Sequence, residues 1–117
     1  METITEKINH LNGLVMEGKL LEAFELYYDD GVVMQENETQ PTIGKAQNRT
    51  RETKFLGDIV EFRQAKVLNV GAGKDVSFVT WYFDYTHKDW GVRNYTQVSV
   101  QHWKDGKIIR EQFFYGN

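Results

Sequence analysis

The sequence predicts an α+β domain, with helices gathered at the N-terminal end covering one face of a long antiparallel sheet. Three observations predict it. Helical periodicity is confined to the first half of the chain. From Phe78 to Asn117 the residues alternate one by one and carry eleven of the sixteen aromatic residues, the mark of strands whose face is to be covered or to hold an apolar guest. Asp105-Gly106 lies between two alternating runs, a strong hairpin signal.

Each element follows in order. Thr3 and Glu6 have capping-box spacing, and Ile4, Ile8, Leu11 and Val15 continue with helical period to Gly18, which is placed to end the helix. Leu20, Leu21, Phe24 and Tyr28 make a second short amphipathic helix, broken at Asp29-Asp30-Gly31. Val32-Val33-Met34 reads as a short strand, and Pro41 and Gly44 bracket a turn. Residues 45–56 are helix formers, yet only Ala46, Phe55 and Leu56 are apolar. That composition predicts a helix lying over something polar or largely in water. Four strands are expected over 60–71, 74–86, 92–104 and 107–116, joined at Gly71-Ala72-Gly73, at His87–Gly91 and at Asp105-Gly106. The helices can cover only one face of so long a sheet, so the other must meet water or a second copy.

Composition bounds the function. At 117 residues the chain is read as one domain, 1–117, with 40% hydrophobic and 26% charged residues, ordinary for a soluble globular chain. A net charge of −3 argues against nucleic acid or anionic lipid as partner. No apolar run approaches the roughly 20 residues of a membrane helix and no signal-peptide core is visible, so a cytoplasmic location away from membranes is expected. The lack of cysteine removes disulfides, thiolate metal sites and cysteine nucleophiles together. His10, His87 and His102 fall on different elements with no His-x-His or Glu-x-x-His spacing, so no metal site is expected. There is neither a Gly-x-Ser-x-Gly nucleophile elbow nor a phosphate-cradling glycine loop, and no cofactor is expected.

The segment Tyr27-Tyr28-Asp29-Asp30-Gly31-Val32, the Thr42-Ile43-Gly44-Lys45 lead into the third helix, and Asp105-Gly106-Lys107-Ile108-Ile109-Arg110-Glu111, taken with the element order, resemble the nuclear-transport-factor-2-like (cystatin-like) superfamily. Within it they resemble the SnoaL-like polyketide-cyclase relatives. The resemblance spans essentially the whole chain. It implies a cone of three N-terminal helices packed on a curved antiparallel sheet, reused in different members for isomerases, dehydratases, cyclases, lipophilic-ligand binders and dimerisation modules.

By analogy with the ketosteroid-isomerase-like members, the resemblance points one face of each late strand into the cone. The inward sets are Val79, Trp81, Phe83 and Tyr85; then Tyr95, Gln97, Ser99, Gln101 and Trp103; then Ile109, Glu111, Phe113 and Tyr115. This orientation leaves Tyr82, Val98, Val100 and Phe114 as an apolar patch outside, best explained by a homodimer through the outer sheet face. The opposite parity buries the valines and leaves the glutamines wet.

The inward sets combine an aromatic wall with a polar row, the default description of a small-molecule site. Glu111 is the leading catalytic candidate. Inside, desolvation raises its pKa toward neutrality; outside, it is an ordinary strand carboxylate. Tyr95 is the second, as donor to a ligand oxygen. Trp81, Phe83, Gln97, Ser99, Gln101, Trp103, Phe113 and Tyr115 are the expected ligand-binding residues, together with Gln35. On the family pattern Gln35 falls where ketosteroid isomerases keep a carboxylate base, Leu11 where they keep an oxyanion-holding tyrosine, and Ser99 where they keep a protonated aspartate. None of the three matches, so steroid isomerisation by that route is not expected. Glu36 points away unless a bulge turns it inward. Arg49, Arg51 and Lys54 read as a solvated face pairing with Glu52. Three functions fit: an enzyme without cofactor doing acid–base work on an apolar, oxygen-bearing small molecule, a binding protein with the same pocket, and a dimerisation module with a filled cone.

Overall fold

The Thr3 hydroxyl accepts from the Glu6 amide and the Glu6 carboxylate accepts from the Thr3 amide, each at 3.1 Å, so the capping box that opens the first helix is complete. In the computed structural model, which describes residues 3–116, the elements run α1 (Ile4–Met16), α2 (Leu20–Tyr27), β1 (Tyr28–Glu36), β2 (Thr42–Ile43), α3 (Lys45–Gly57), β3 (Ile59–Ala72), β4 (Val76–His87), β5 (Gly91–Lys104) and β6 (Lys107–Tyr115). The six strands form one sheet in the order β2-β1-β6-β5-β4-β3. Every pairing is antiparallel except β1 with β6, which is parallel. That exception follows from chain order: β1 enters the sheet after two helices and meets a strand more than seventy residues away. β2 is a two-residue strand where the sequence indicated only a turn.

The β5–β6 hairpin forms at Asp105-Gly106, both with positive φ (52° and 80°), the backbone of a two-residue turn that matches strand twist. One bulge revises the inward set of β6. His102 pairs with Arg110, yet Trp103 pairs with Ile108, leaving Ile109 as the extra residue. Ile108 is therefore fully buried and Ile109 is 36% exposed, because an extra residue flips the side-chain alternation on one side of a bulge. Beyond the bulge the alternation is as expected, with Glu111 facing the interior.

The core is built from Ile8, Leu11 and Leu14 of α1, Ala23, Phe24 and Tyr27 of α2, and Val32, Met34, Val79, Trp81, Trp103 and Ile108 of the sheet. α3 contributes differently. Its one fully buried residue is polar: Asn48, whose amide nitrogen lies 3.3, 3.1 and 2.9 Å from the carbonyls of Val32, Thr42 and Gly44. This side chain pins an apolar-poor helix to β1 and β2. Asn48→Ala is expected to lower stability by about 2 kcal/mol, since it strips a donor from buried carbonyls, as a urea titration would read. On the outer face Phe78 and Phe114 are 43% and 42% exposed, and Tyr82, Val98 and Val100 are half-buried.

Candidate active site

The concave side of the sheet and the three helices enclose a cavity of about 740 Å³. Its wall is largely aromatic. Trp81 and Phe83, successive inward residues of β4, stack with ring centroids 5.2 Å apart, and Phe113, Tyr95 and Tyr115 continue the lining. At one rim Phe55 of α3 meets Tyr85 edge-on at 5.5 Å, while His87 and Trp90 stack at 3.7 Å.

Into this wall the sheet sets a carboxyl. Glu111 is 3% exposed and sits on β6 directly opposite Gln101 of β5. The Gln101 amide donates to Glu111 Oε2 at 2.7 Å, and the Tyr28 hydroxyl donates to Glu111 Oε1. Behind Gln101 the chain of bonds continues. Ser77 Oγ donates to Gln101 Oε1 at 2.7 Å and accepts from the indole nitrogen of Trp103 at 2.9 Å. Burial pushes the Glu111 carboxyl up to about 7, and the Glu52 charge adds to the rise. The bonds from Gln101 and Tyr28 and the Arg51 charge oppose it. The same burial, with the neighbouring carboxylate, drives the Tyr28 hydroxyl well above its ordinary range. Glu111 thus exchanges a proton near neutrality, while Tyr28 remains a hydroxyl that can pass a proton but not ionise.

A second polar chain lines the same cavity. Tyr115 donates to Glu36 Oε1 at 2.7 Å, Arg51 lies 3.5 Å from Glu36 Oε2, and Arg51 also pairs with Glu52 at 3.1 Å. Arg51 reaches over Met34, its Nη2 being 3.9 Å from the sulfur, and Met34 is the strand partner of Glu111. The two polar chains are therefore neighbours.

A sequence model of the SnoaL-like domain family matches residues 3–115. The chain belongs to the SnoaL-like domain family. Solved structures agree on the architecture of this SnoaL-like domain. A candidate SnoaL-like polyketide cyclase from Mesorhizobium loti superposes with a TM-score of 0.88 at 24% identity, covering 97% of this chain and all of that one. A protein of unknown function with cystatin-like fold from Xanthomonas campestris gives 0.84 at 16% identity, covering all of this chain and 92% of that one. An NTF2-like protein of unknown function from Burkholderia xenovorans gives 0.79 at 16%, covering 97% and 83%. At these identities the likeness is one of fold. No curated protein matches the sequence.

Of the residues expected at the site, Glu111, Tyr95, Trp81, Phe83, Gln97, Ser99, Gln101, Phe113 and Tyr115 all line the cavity. Two do not. Gln35 faces the other side of β1, where its amide oxygen accepts from Arg110 at 2.7 Å and its nitrogen donates to the Thr39 carbonyl. In the SnoaL-like domain the inward positions at this end of β1 are Met34 and Glu36, which continue the alternation from buried Val32, so Gln35 between them points outward. Trp103 is buried behind the wall, edge-on to Tyr27 and bonded to Ser77. Tyr95 is in the wall but away from Glu111. It lies six residues along β5 from Gln101, about 20 Å of strand, and its hydroxyl bonds Tyr85 at 2.8 Å.

The sequence reading missed Tyr28 and Glu52. Helical spacing carries α2 through Tyr28, but Tyr28 opens β1 and bonds a residue 83 positions later, a contact no local pattern carries. Glu52 did leave a signal: it is four residues after Asn48 and three before Phe55, so all three share one face of α3. Arg49 instead pairs with Glu25, and Lys54 with Asp58.

Proposed function

We propose that this SnoaL-like domain holds a small, largely apolar, oxygen-bearing molecule in its cone and moves a proton on it without a cofactor, in chemistry of the cyclase, isomerase or dehydratase kind. One observation carries the reading: a buried carboxyl with a pKa of about 7, bonded to a tyrosine and a glutamine, in the wall of an aromatic cavity. A protonated Glu111 donates to Tyr28 Oη, which turns the Tyr28 hydrogen toward the cavity. A ligand oxygen gaining charge then receives that hydrogen bond, and later the proton, with Glu111 left as the carboxylate. Trp81, Phe83 and Phe113 keep water from the reacting centre and strengthen each electrostatic contact there. Tyr95 and Gln97, farther along β5, orient the remote end of the ligand.

A binding protein without turnover is the second reading. It is favoured by the fact that both Glu111 oxygens already accept bonds from within the protein. The cavity speaks against a filled cone. We further propose a homodimer joined through the outer face around Phe78, Val98, Val100 and Phe114, and a cytoplasmic site of action on the strength of the cysteine-free composition. Among the described residues no helix is long and apolar enough to cross a membrane.

Native mass spectrometry tests cavity and dimer together. The expected result is a species of twice the 13.7 kDa chain mass that carries a small organic molecule, with Val98→Glu yielding monomer. Monomer without a retained molecule, and no uptake from a panel of apolar carbonyl compounds, contradicts both proposals.

A further inference from the structure

We propose that Glu52 is the base of this site, the carboxylate that takes a proton from ligand carbon while Glu111, acting through Tyr28, serves the ligand oxygen. The assignment rests on the acid–base reading above. It begins with placement. α3 is almost devoid of apolar residues, yet it covers the cavity, and Glu52 is on the covering face with a side chain only 12% exposed. Such a position normally holds a leucine or valine. A buried carboxylate is costly unless it is paired, and among the described residues Glu52 has a single ion pair, with its own neighbour Arg51, at 3.1 Å on one oxygen. Among the described residues no hydrogen bond engages the second oxygen, and Glu52 is part of the cavity lining.

Arg51 explains why this carboxyl and Glu111 take different roles. It bridges Glu52 to Glu36 of β1 and lies over Met34, beside Glu111. The charges facing Glu52 are thus Arg51 from its own helix, Glu36 from β1 and Glu111 from β6, with the Tyr28 hydroxyl alongside. Burial raises the Glu52 carboxyl, and Arg51, in direct contact at 3.1 Å, opposes that rise and favours the carboxylate. Among the described residues Glu111 has no cation in contact, and the Glu52 charge pushes it further toward the protonated form. A carboxyl in contact with a cation, set beside one bonded only to neutral donors, is a placement that separates a base from an acid in one site. In the step itself, Glu52 takes the carbon-bound proton and the electron pair left behind moves onto the conjugated oxygen. That oxygen takes a proton from Tyr28, which Glu111 replaces. Glu52 returns its proton to another carbon, and Glu111 recovers its own as the enol reverts, so that isomerisation leaves the protein unchanged.

A carbon acid that needs a base and no acid isolates the role of Glu52. In 5-nitrobenzisoxazole, removal of the ring C–H proton forms the nitrile as the N–O bond breaks, and the ring opens to a single cyanonitrophenolate, coloured, whose oxygen needs no acid. Wild type is expected to open this probe faster than an equal concentration of acetate, along a pH profile that rises through one ionisation. Glu52→Gln is expected to lower kcat about 100-fold with little change in KM, and to erase that ionisation. Glu52→Asp, which keeps the charge should the amide fail to fold, retains the ionisation at a reduced rate. Glu22→Gln, exposed on α2, behaves as wild type. If Glu111→Gln erases rate and ionisation while Glu52→Gln keeps both, Glu111 is itself the base; the assignment of Glu52 fails and the proposed function stands. If wild type does no better than acetate, both fail.

Discussion

Glu111→Gln is expected to cut acid–base turnover by about 10²- to 10⁴-fold, the usual contribution of a positioned proton-transfer group, while leaving the fold intact. The amide has the same shape but cannot carry the proton. The network can absorb it. The new amide presents its oxygen to the Gln101 nitrogen and its nitrogen to Tyr28 Oη, the Tyr28 hydrogen turns toward the cavity, and the Gln101–Ser77–Trp103 bonds stay as they are. No buried donor is left stranded, which keeps the structural cost small.

Stability should move the other way. Glu111 titrates near 7 in the folded chain against an ordinary 4.5, so between those values the folded state holds a proton that the unfolded state has released. Stability from this group is complete below about pH 4.5 and is lost as pH rises through 7, amounting to about 3 kcal/mol. Glu52, also raised by burial, works in the same direction. The lowered carboxyls Glu6, Glu25 and Asp58 act oppositely, but only below the ordinary carboxylate range. Thermal melts are therefore expected to fall from pH 5 to pH 8 in wild type. Glu111→Gln should flatten most of that slope and melt higher than wild type at pH 8. A wild-type melting temperature that rises over this interval contradicts the burial of Glu111 as an acid.

Tyr28→Phe carries the second large effect. The ring remains, with its stack on Phe24 at 4.9 Å, and only the hydroxyl is lost. Glu111 then keeps one of its two internal donors. Because the Tyr28 bond favours the carboxylate, its removal drives Glu111 further up, and the pH–rate profile should move to higher pH. Loss of the donor to the ligand oxygen should cost about 10²-fold in rate. A tyrosine that merely plugs the core would change neither the profile nor the rate; one that delivers the proton changes both, and pH-dependent kinetics of the variant separate the two.

How much of this was legible in the sequence depends on the range of the interaction. Alternation along β4 and β5, the Asp105-Gly106 turn and the Thr3–Glu6 box are set by neighbours a few residues apart, and each is found where the local pattern puts it. Alternation puts Glu111 on one face with Phe113 and Tyr115, and it is the resemblance that makes that face the inward one. Ile109 failed because a bulge is a two-strand event: its existence depends on how His102 and Trp103 meet the partner strand. Gln35 failed for a different reason: the resemblance points to it, but the alternation of β1 from Val32 turns Met34 and Glu36 inward and leaves Gln35 between them on the other side. Trp103 was given the correct face but not the correct depth, because α1 and α2 close over that end of the sheet with Tyr27 against the indole. Glu52 was hidden by composition. A helix so polar reads as solvated, although the spacing of Asn48, Glu52 and Phe55 already marked its inner stripe.

The central claim is that Glu111 is a cavity-wall carboxyl exchanging its proton near neutral pH. Carbon-13 NMR of glutamate-labelled protein, with the Glu111 side-chain carboxyl assigned by its disappearance in Glu111→Gln, measures this directly. A titration midpoint close to 7 is the predicted result. A midpoint below 5, with the carboxyl ionised throughout the neutral range, would remove the acid on which the proposed chemistry depends.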